Sequence, residues 1–358
     1  RLSEMLMRSS KTDSAMITLS QAGELFRQSG NLRGTANVQL LKGTILTERK
    51  DNTGALPLLD SAARAADFPE TVWQAWYQMG RMRENLGEER KAIESYRKSV
   101  SAIEKIRGGL VTDEFRSIYF DNKRQVYDRL INLLIEADSA VEALQVSERA
   151  RARAFYDILS VRKINFRGSE GGDLIAMEQE KRLEMQKLYR LLRHDENQGK
   201  DFQERTSADV KQIRSALSEV IKEYDEIVKK LKVNNPSYAE IVSAEPVKLS
   251  DIQSRLDPES AVLEYWVSDH DLTVWMISHE EAISFRSAIS DKVLNSVVER
   301  ARSAIESNDT DKSGKELKTL YNHLIAPVEG KLASFSKLII IPNQSLHFIP
   351  FQALLNTN

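Results

Sequence analysis

Five histidines, His194, His270, His279, His323 and His347, are the side chains of this sequence whose ordinary titration lies near neutral pH, and no cysteine accompanies them. None stands at metal-ligand spacing from another histidine or a carboxylate pair. His279-Glu280-Glu281 lacks the second histidine of a zincin, so no metal and no cofactor is implied. His347 follows the apolar run Leu338, Ile339, Ile340, Ile341 at the kind of strand end where α/β active sites lie. It is either a catalytic group or an imidazole packed or hydrogen-bonded in a strand-to-helix turn. Ser345 beside it lacks the flanking glycines of a nucleophile elbow, and Gly314-Lys315 runs into Glu316, which is no nucleotide loop. Arg149 and Arg153 share a helix face around Arg151. They either clamp a phosphate or carboxylate of a partner, or pair with Glu148 and Asp157.

The elements that would position these groups are set by length and composition. Lys and Arg number 51 against 53 Asp and Glu, so no global field points to nucleic acid or an acidic membrane. No apolar run approaches a membrane span, and the amphipathic start has no signal-peptide pattern. Zero cysteine excludes disulfides and thiolate metal sites and fits a reducing, cytoplasmic setting. The length predicts two or three domains. Arg1 is not an initiator methionine, and the expectation is a chain cut at both ends.

From Leu2 to Leu159 the pattern is helical and repeats. A small or apolar residue is followed twelve positions later by Ala and seven after that by Ala or Ser: Ser3, Ala15, Ala22; Gly43, Ala55, Ala62; Gly80, Ala92, Ser99; Ile131, Ala143, Ala150. Small side chains at such points let helices approach closely, while Leu19, Leu59 and Tyr96 fill one equivalent position. The third set, with Trp76, Met79, Gly80, Leu86, Gly87, Ala92 and Tyr96, follows the tetratricopeptide (TPR) pattern; a plain helical bundle is the alternative. The sets are spaced more widely than the usual period of about 34 residues. Insertions at Asp67-Phe-Pro-Glu70 and Gly108-Gly-Leu-Val-Thr112 would account for that. If the third repeat follows the pattern, Gln74, Tyr77, Arg81, Glu84 and Asn85 line a concave face with Thr44, Thr47 and Glu48 from the repeat before. A protein or peptide partner would bind there.

Residues 1–160 are thus read as repeats and 161–236 as a linker and hairpin. Gly168-Ser-Glu-Gly-Gly-Asp173 reads as a flexible joint, not a phosphate loop, since no Gly-Lys-Ser/Thr follows. Val210, Ile213, Leu217, Val220, Tyr224, Ile227 and Leu231 alternate steps of three and four, a coiled-coil seam facing Met185, Leu188 and Leu192. That predicts an antiparallel helical hairpin turning between His194 and Thr206 and ending at Asn234-Asn-Pro236.

From 237 to 358 the period becomes strand-like. Ser250-Asp-Ile-Gln253 reads as a capping box, and Ala261 to Val267, Leu272 to Ser278 and Ala282 to Phe285 as a three-stranded meander. Amphipathic helices follow around Val293 to Ile305 and Leu317 to Ile325. Leu338 to Ile341 then has the continuous apolar character of a parallel strand covered on both faces, stopped by Pro342.

Three stretches carry a resemblance: Ser147-Glu-Arg-Ala-Arg-Ala-Arg-Ala-Phe-Tyr-Asp-Ile-Leu159, Ser260-Ala-Val-Leu-Glu-Tyr-Trp266, and Lys337 to Leu355. In this order, after helical repeats, they resemble the TPR-CHAT family, in which a caspase- and separase-like CHAT domain follows tetratricopeptide repeats in many bacterial proteins. The fold it implies is an α-helical TPR solenoid, a helical hairpin, and the N-terminal part of an α/β caspase-like domain. The resemblance further implies a cysteine protease whose histidine and cysteine lie at later strand ends, beyond Asn358, with a downstream CHAT segment completing the sheet. Some such relatives act in bacterial defence. A non-enzymatic interaction protein with a degenerate CHAT-like domain is the alternative, and neither reading involves direct nucleic-acid or membrane contact.

Overall fold

The computed structural model describes residues 12–65, 68–107, 123–161, 172–193, 207–234 and 248–354. They are mostly helical, with a small mixed sheet near the C-terminus. Two compact units divide the chain, residues 1–126 with 151–245, and residues 127–150 with 246–358. The helical division read from sequence placed 127–150 among the repeats; the structure groups it with the sheet.

In the first unit, α1 (Thr12–Gln28), α2 (Leu32–Glu48), α3 (Asn52–Ala63), α4 (Pro69–Asn85) and α5 (Glu89–Arg107) pack each on the next, and α2 also packs on α4. The turns are short because each helix is stopped and restarted locally. Asn31 and Asp51 cap α2 and α3 by accepting from the Gly34 and Gly54 amides, and Gly87, at φ +70°, makes the left-handed turn between α4 and α5.

Most of the small-residue offsets are buried contacts, Ala22 being half-buried. Ala15, Ala55, Ala62, Ala92 and Ser99 are fully buried, as are Leu59 and Tyr96, with Leu19 at 2% exposure. A Cβ on Gly43 would meet the Leu59 side chain at 2.6 Å, and one on Gly80 the Tyr96 ring at 2.4 Å. Glycine is therefore the residue that lets these paired helices close on a large neighbour. Ser3 of the first set, the segment 108–112 and most of the glycine-rich joint lie outside the described residues. Gly172 and Asp173 of that joint already belong to a helix.

That helix, α8 (Gly172–Arg193), packs on α9 (Ser207–Asn234). Ile175 clusters with Ile227, Val228 and Leu231, and Met185 with Leu217 and Val220. Contacts that climb one helix as they descend the other make the pair antiparallel. Lys181 joins the two, 2.6 Å from Glu223. The side chains of Leu192 and Val210 and the turn at 194–206 lie outside the described residues.

The second unit takes all but the start of α6 (Arg124–Glu136) and the first half of α7 (Ala140–Val161), which precede the sheet in sequence, and α10 (Leu249–Gln253) leads into it. The capping box is not formed. Lys248 occupies the N-cap and Ser250 sits within this five-residue helix, its hydroxyl 3.4 Å from Asp251. The strands β1 (Ser260–Val267), β2 (Leu272–Ile277), β3 (Ala282–Ser287) and β4 (Lys337–Ile341) lie in the order β3-β2-β1-β4. The meander is antiparallel and β4 runs parallel to β1, pairing Val262 with Ile339 and Leu263 with Ile340.

Between β3 and β4 come α11 (Asp291–Glu306), α12 (Thr310–Leu324) and α13 (Glu329–Leu332). On one face of the sheet, Ala261, Leu263, Tyr265 and Val267 share a core with Leu294, Val297, Val298, Leu320 and Leu324 from α11 and α12. Every residue of β1 and β2 is buried, which is how strands covered on both faces behave. β4 departs from the expectation of a strand covered on both faces. It is an edge strand, and Leu338 and Ile339 are 44% and 47% exposed.

Candidate functional site

The eight residues read as a concave partner-binding face occupy α2 and α4 of the first unit. Helical spacing brings Gln74, Tyr77, Arg81, Glu84 and Asn85 to neighbouring turns of α4, but their surroundings differ. Tyr77 is 7% exposed; its hydroxyl donates to Gln125 Oε1 at 3.0 Å and its ring lies 5.8 Å from that of Tyr96. Glu84 accepts a hydrogen bond from the Tyr96 hydroxyl. Thr47 is 2% exposed, and its hydroxyl and that of Thr44 donate back to the carbonyls of Gly43 and Leu40. These groups are engaged within the chain. Gln74 and Arg81 are half-buried, with Arg81 reaching Gln78 at 3.3 Å, while Glu48 and Asn85 are exposed.

Next to this row lies a set of residues that periodicity did not single out. Lys123, 4% exposed, sits 5.0 Å from the Trp73 ring centroid and 3.7 Å from Glu70, which also accepts from the Trp73 indole at 2.6 Å. Burying an ammonium demands such partners, and the aromatic face and carboxylate supply them. The only sequence signal was Glu70 three residues before Trp73, which is weak by itself.

At the sheet, the histidines separate. His347 is exposed on the turn Gln344–Phe348, whereas His323 is half-buried on α12 with its Nδ1 2.8 Å from the Ser287 hydroxyl. Burial holds His323 below its ordinary value and favours the neutral imidazole, whose tautomer decides which way the hydrogen bond with Ser287 runs. Among the described residues, no group of three His, Cys, Asp or Glu could hold a metal ion. The turn after β4 is fixed by two side chains: Asn343 Oδ1 accepts from the Val267 amide and Gln344 Nε2 donates to the Val267 carbonyl, both at 3.1 Å. Of the arginine run, Arg149 and Arg151 are half-buried, and the side chain of Arg153 lies outside the described residues.

The other face of the sheet holds the strongest polar constellation. Ser147 donates to Glu264 Oε1 at 3.0 Å, the Trp266 indole to Asp128 Oδ1 at 2.8 Å, and the Trp275 indole to the Ala140 carbonyl at 3.0 Å. Glu264 is fully buried and Asp128 is 6% exposed. These bonds hold the 127–150 helices against β1 and β2. Their role is to attach helices to the sheet.

No protein-family model matches the chain, and no curated protein matches it. Among the described residues no helix is long and apolar enough to cross a membrane.

Proposed function

We propose that this chain is the regulatory and scaffold portion of a caspase-like cysteine protease of the TPR-CHAT type, its helical pairs acting as a solenoid that takes a protein partner. The observation that carries this reading is β4. A strand parallel to the first strand of a meander, with Leu338 and Ile339 facing solvent at the sheet edge, is a site for another strand. The turn that follows it is pinned by Asn343 and Gln344, which fixes the direction of the chain leaving the sheet. Gly43 against Leu59 and Gly80 against Tyr96, one relation in two successive helix pairs, supports the repeat.

The catalytic histidine and cysteine are assigned to residues downstream of Asn358. In a longer protein carrying them, replacing that cysteine by Ala should abolish peptide hydrolysis, while the 358-residue chain alone has none. Hydrolysis by the cysteine-free chain would overturn the reading. Partner capture is tested at Arg81 and Asn85, which keep open surface. Their double Ala variant should weaken capture with helicity unchanged, and unchanged capture would remove this face from the proposal.

A further inference from the structure

The helices on the polar face of the sheet cross its strands in rows. Trp266 of β1, Thr273 of β2 and Arg286 of β3 are register partners and stand side by side. Opposite them α6 presents Asp128, Asn132 and Glu136 at steps of four, along one face of the helix. Asp128 accepts from the Trp266 indole at one end of the row, and Glu136 accepts from Arg286 at 2.7 Å at the other. The helix rises about 12 Å between those two acids while two strand spacings cover about 10 Å, so Asn132 stands over Thr273. α7 repeats the arrangement one row along, where Ser147 donates to Glu264 and the Ala140 carbonyl accepts from Trp275, the register partner of Glu264.

The middle of the first row differs from its ends. Thr273 is 1% exposed and lies on the face away from the core that Leu272 and Val274 share with α11. Its Oγ1 and the Asn132 Oδ1 are both buried, and among the described residues neither atom makes a hydrogen bond. Leaving both unsatisfied is costly, and native interiors rarely do so. Side-chain length explains why they do not reach each other. Asp128 meets a tryptophan and Glu136 an arginine, whereas across the same helix-to-sheet spacing an asparagine faces only a threonine.

We propose that one buried water molecule bridges Asn132 Oδ1 and Thr273 Oγ1, an internal hydration site that completes the row. Water supplies reach as well as chemistry: it donates to the amide carbonyl and takes either role toward the hydroxyl. Both atoms are uncharged, so the ligand that suits them is neutral and small. With this bridge α6 is held by all three strands of the meander.

The sign of one substitution tests the site. Thr273→Val keeps the shape of the side chain and removes its hydroxyl, which leaves the bridge without one end. The folding equilibrium constant of the full chain, read by denaturant unfolding, should fall about fivefold. A hydroxyl with no partner would instead make Thr273→Val neutral or stabilising, and that result would overturn the proposal. The second readout is magnetisation transfer from water to the Thr273 methyl in the full chain carrying labelled threonine methyls. Transfer should be present in the unmodified chain and lost in Asn132→Leu. No transfer would mean a direct Asn132–Thr273 bond, and transfer unchanged in Asn132→Leu would mean exchange through the hydroxyl alone; either removes the bridge. If Asn132→Leu does not fold, a crystal of the unmodified chain decides: water density within hydrogen-bond distance of both atoms supports the site, and a map without it does not.

Discussion

The helix pairs of the first unit and the helices at 127–150 belong to one repeated sequence pattern, yet they are fastened by different physics. In α2–α3 and α4–α5 a glycine faces a large side chain, Gly43 against Leu59 and Gly80 against Tyr96, and the fit is steric. In the fourth set the sizes are reversed: Ile131 stands where Gly43 and Gly80 do, and Ser147 where Leu59 and Tyr96 do. The small side chain there donates to buried Glu264, and two indoles add directed bonds to Asp128 and Ala140. Packing of small on large suits a surface that repeats. Hydrogen bonds suit a single docking, because each has only one partner that satisfies it.

The comparison is most easily broken through Trp275. Its indole is fully buried, so Trp275→Ala should cost about 4 kcal/mol. Denaturant unfolding followed by Trp266 fluorescence measures it, and a loss under about 1 kcal/mol would mean that the directed bonds do not hold this face. Gly80→Leu should cost about 3 kcal/mol by driving atoms into the Tyr96 ring. Trp73 and Trp76 report on that unit, and a neutral result would remove the steric account.

Ser147→Ala should cost about 1 kcal/mol, the worth of one hydrogen bond to a charged or polar partner, without changing the first unit's transition. The smallest effect concerns pH. Because burial holds His323 below 6.5, the unfolded chain takes up its proton more readily than the folded one. Its contribution is therefore complete above pH 6.5 and is lost as pH falls through the lower folded value. Being half-exposed it is worth less than about 1 kcal/mol, and His323→Gln should flatten that part of the stability profile.

The flanking helices and the hairpin were legible because each buries residues three to four positions apart, and the meander because short β-branched and aromatic runs are bounded by polar turns, although β1 and β2 are buried throughout. The assignment of residues 127–150 to the sheet was not. It depends on contacts such as Ser147–Glu264 and Trp266–Asp128, which lie 117 and 138 residues apart and leave no periodic trace. The row from Gln74 to Asn85 was legible as a helix face and not as open surface. Spacing places Tyr77 and Thr47 correctly on α4 and α2, but cannot foresee that Gln125 takes up the phenol or that Thr47 bonds back to Gly43. Ser250 misled for a similar reason, since a capping box needs the serine outside the first turn and this short helix begins one residue before it.

The distance between the 127–150 helices and their strands also sets a timetable. On a ribosome adding about 5–20 residues per second, Asp128 and Ser147 wait roughly 6–28 seconds for their partners Trp266 and Glu264 to emerge. During that interval the first five helices can fold through local contacts, while the bonds of Asp128 and Ser147 have no strand to close on. Slow synthesis of the following segment would therefore lengthen the time this chain spends vulnerable to chaperone capture or proteolysis, with no change in the stability of the completed molecule.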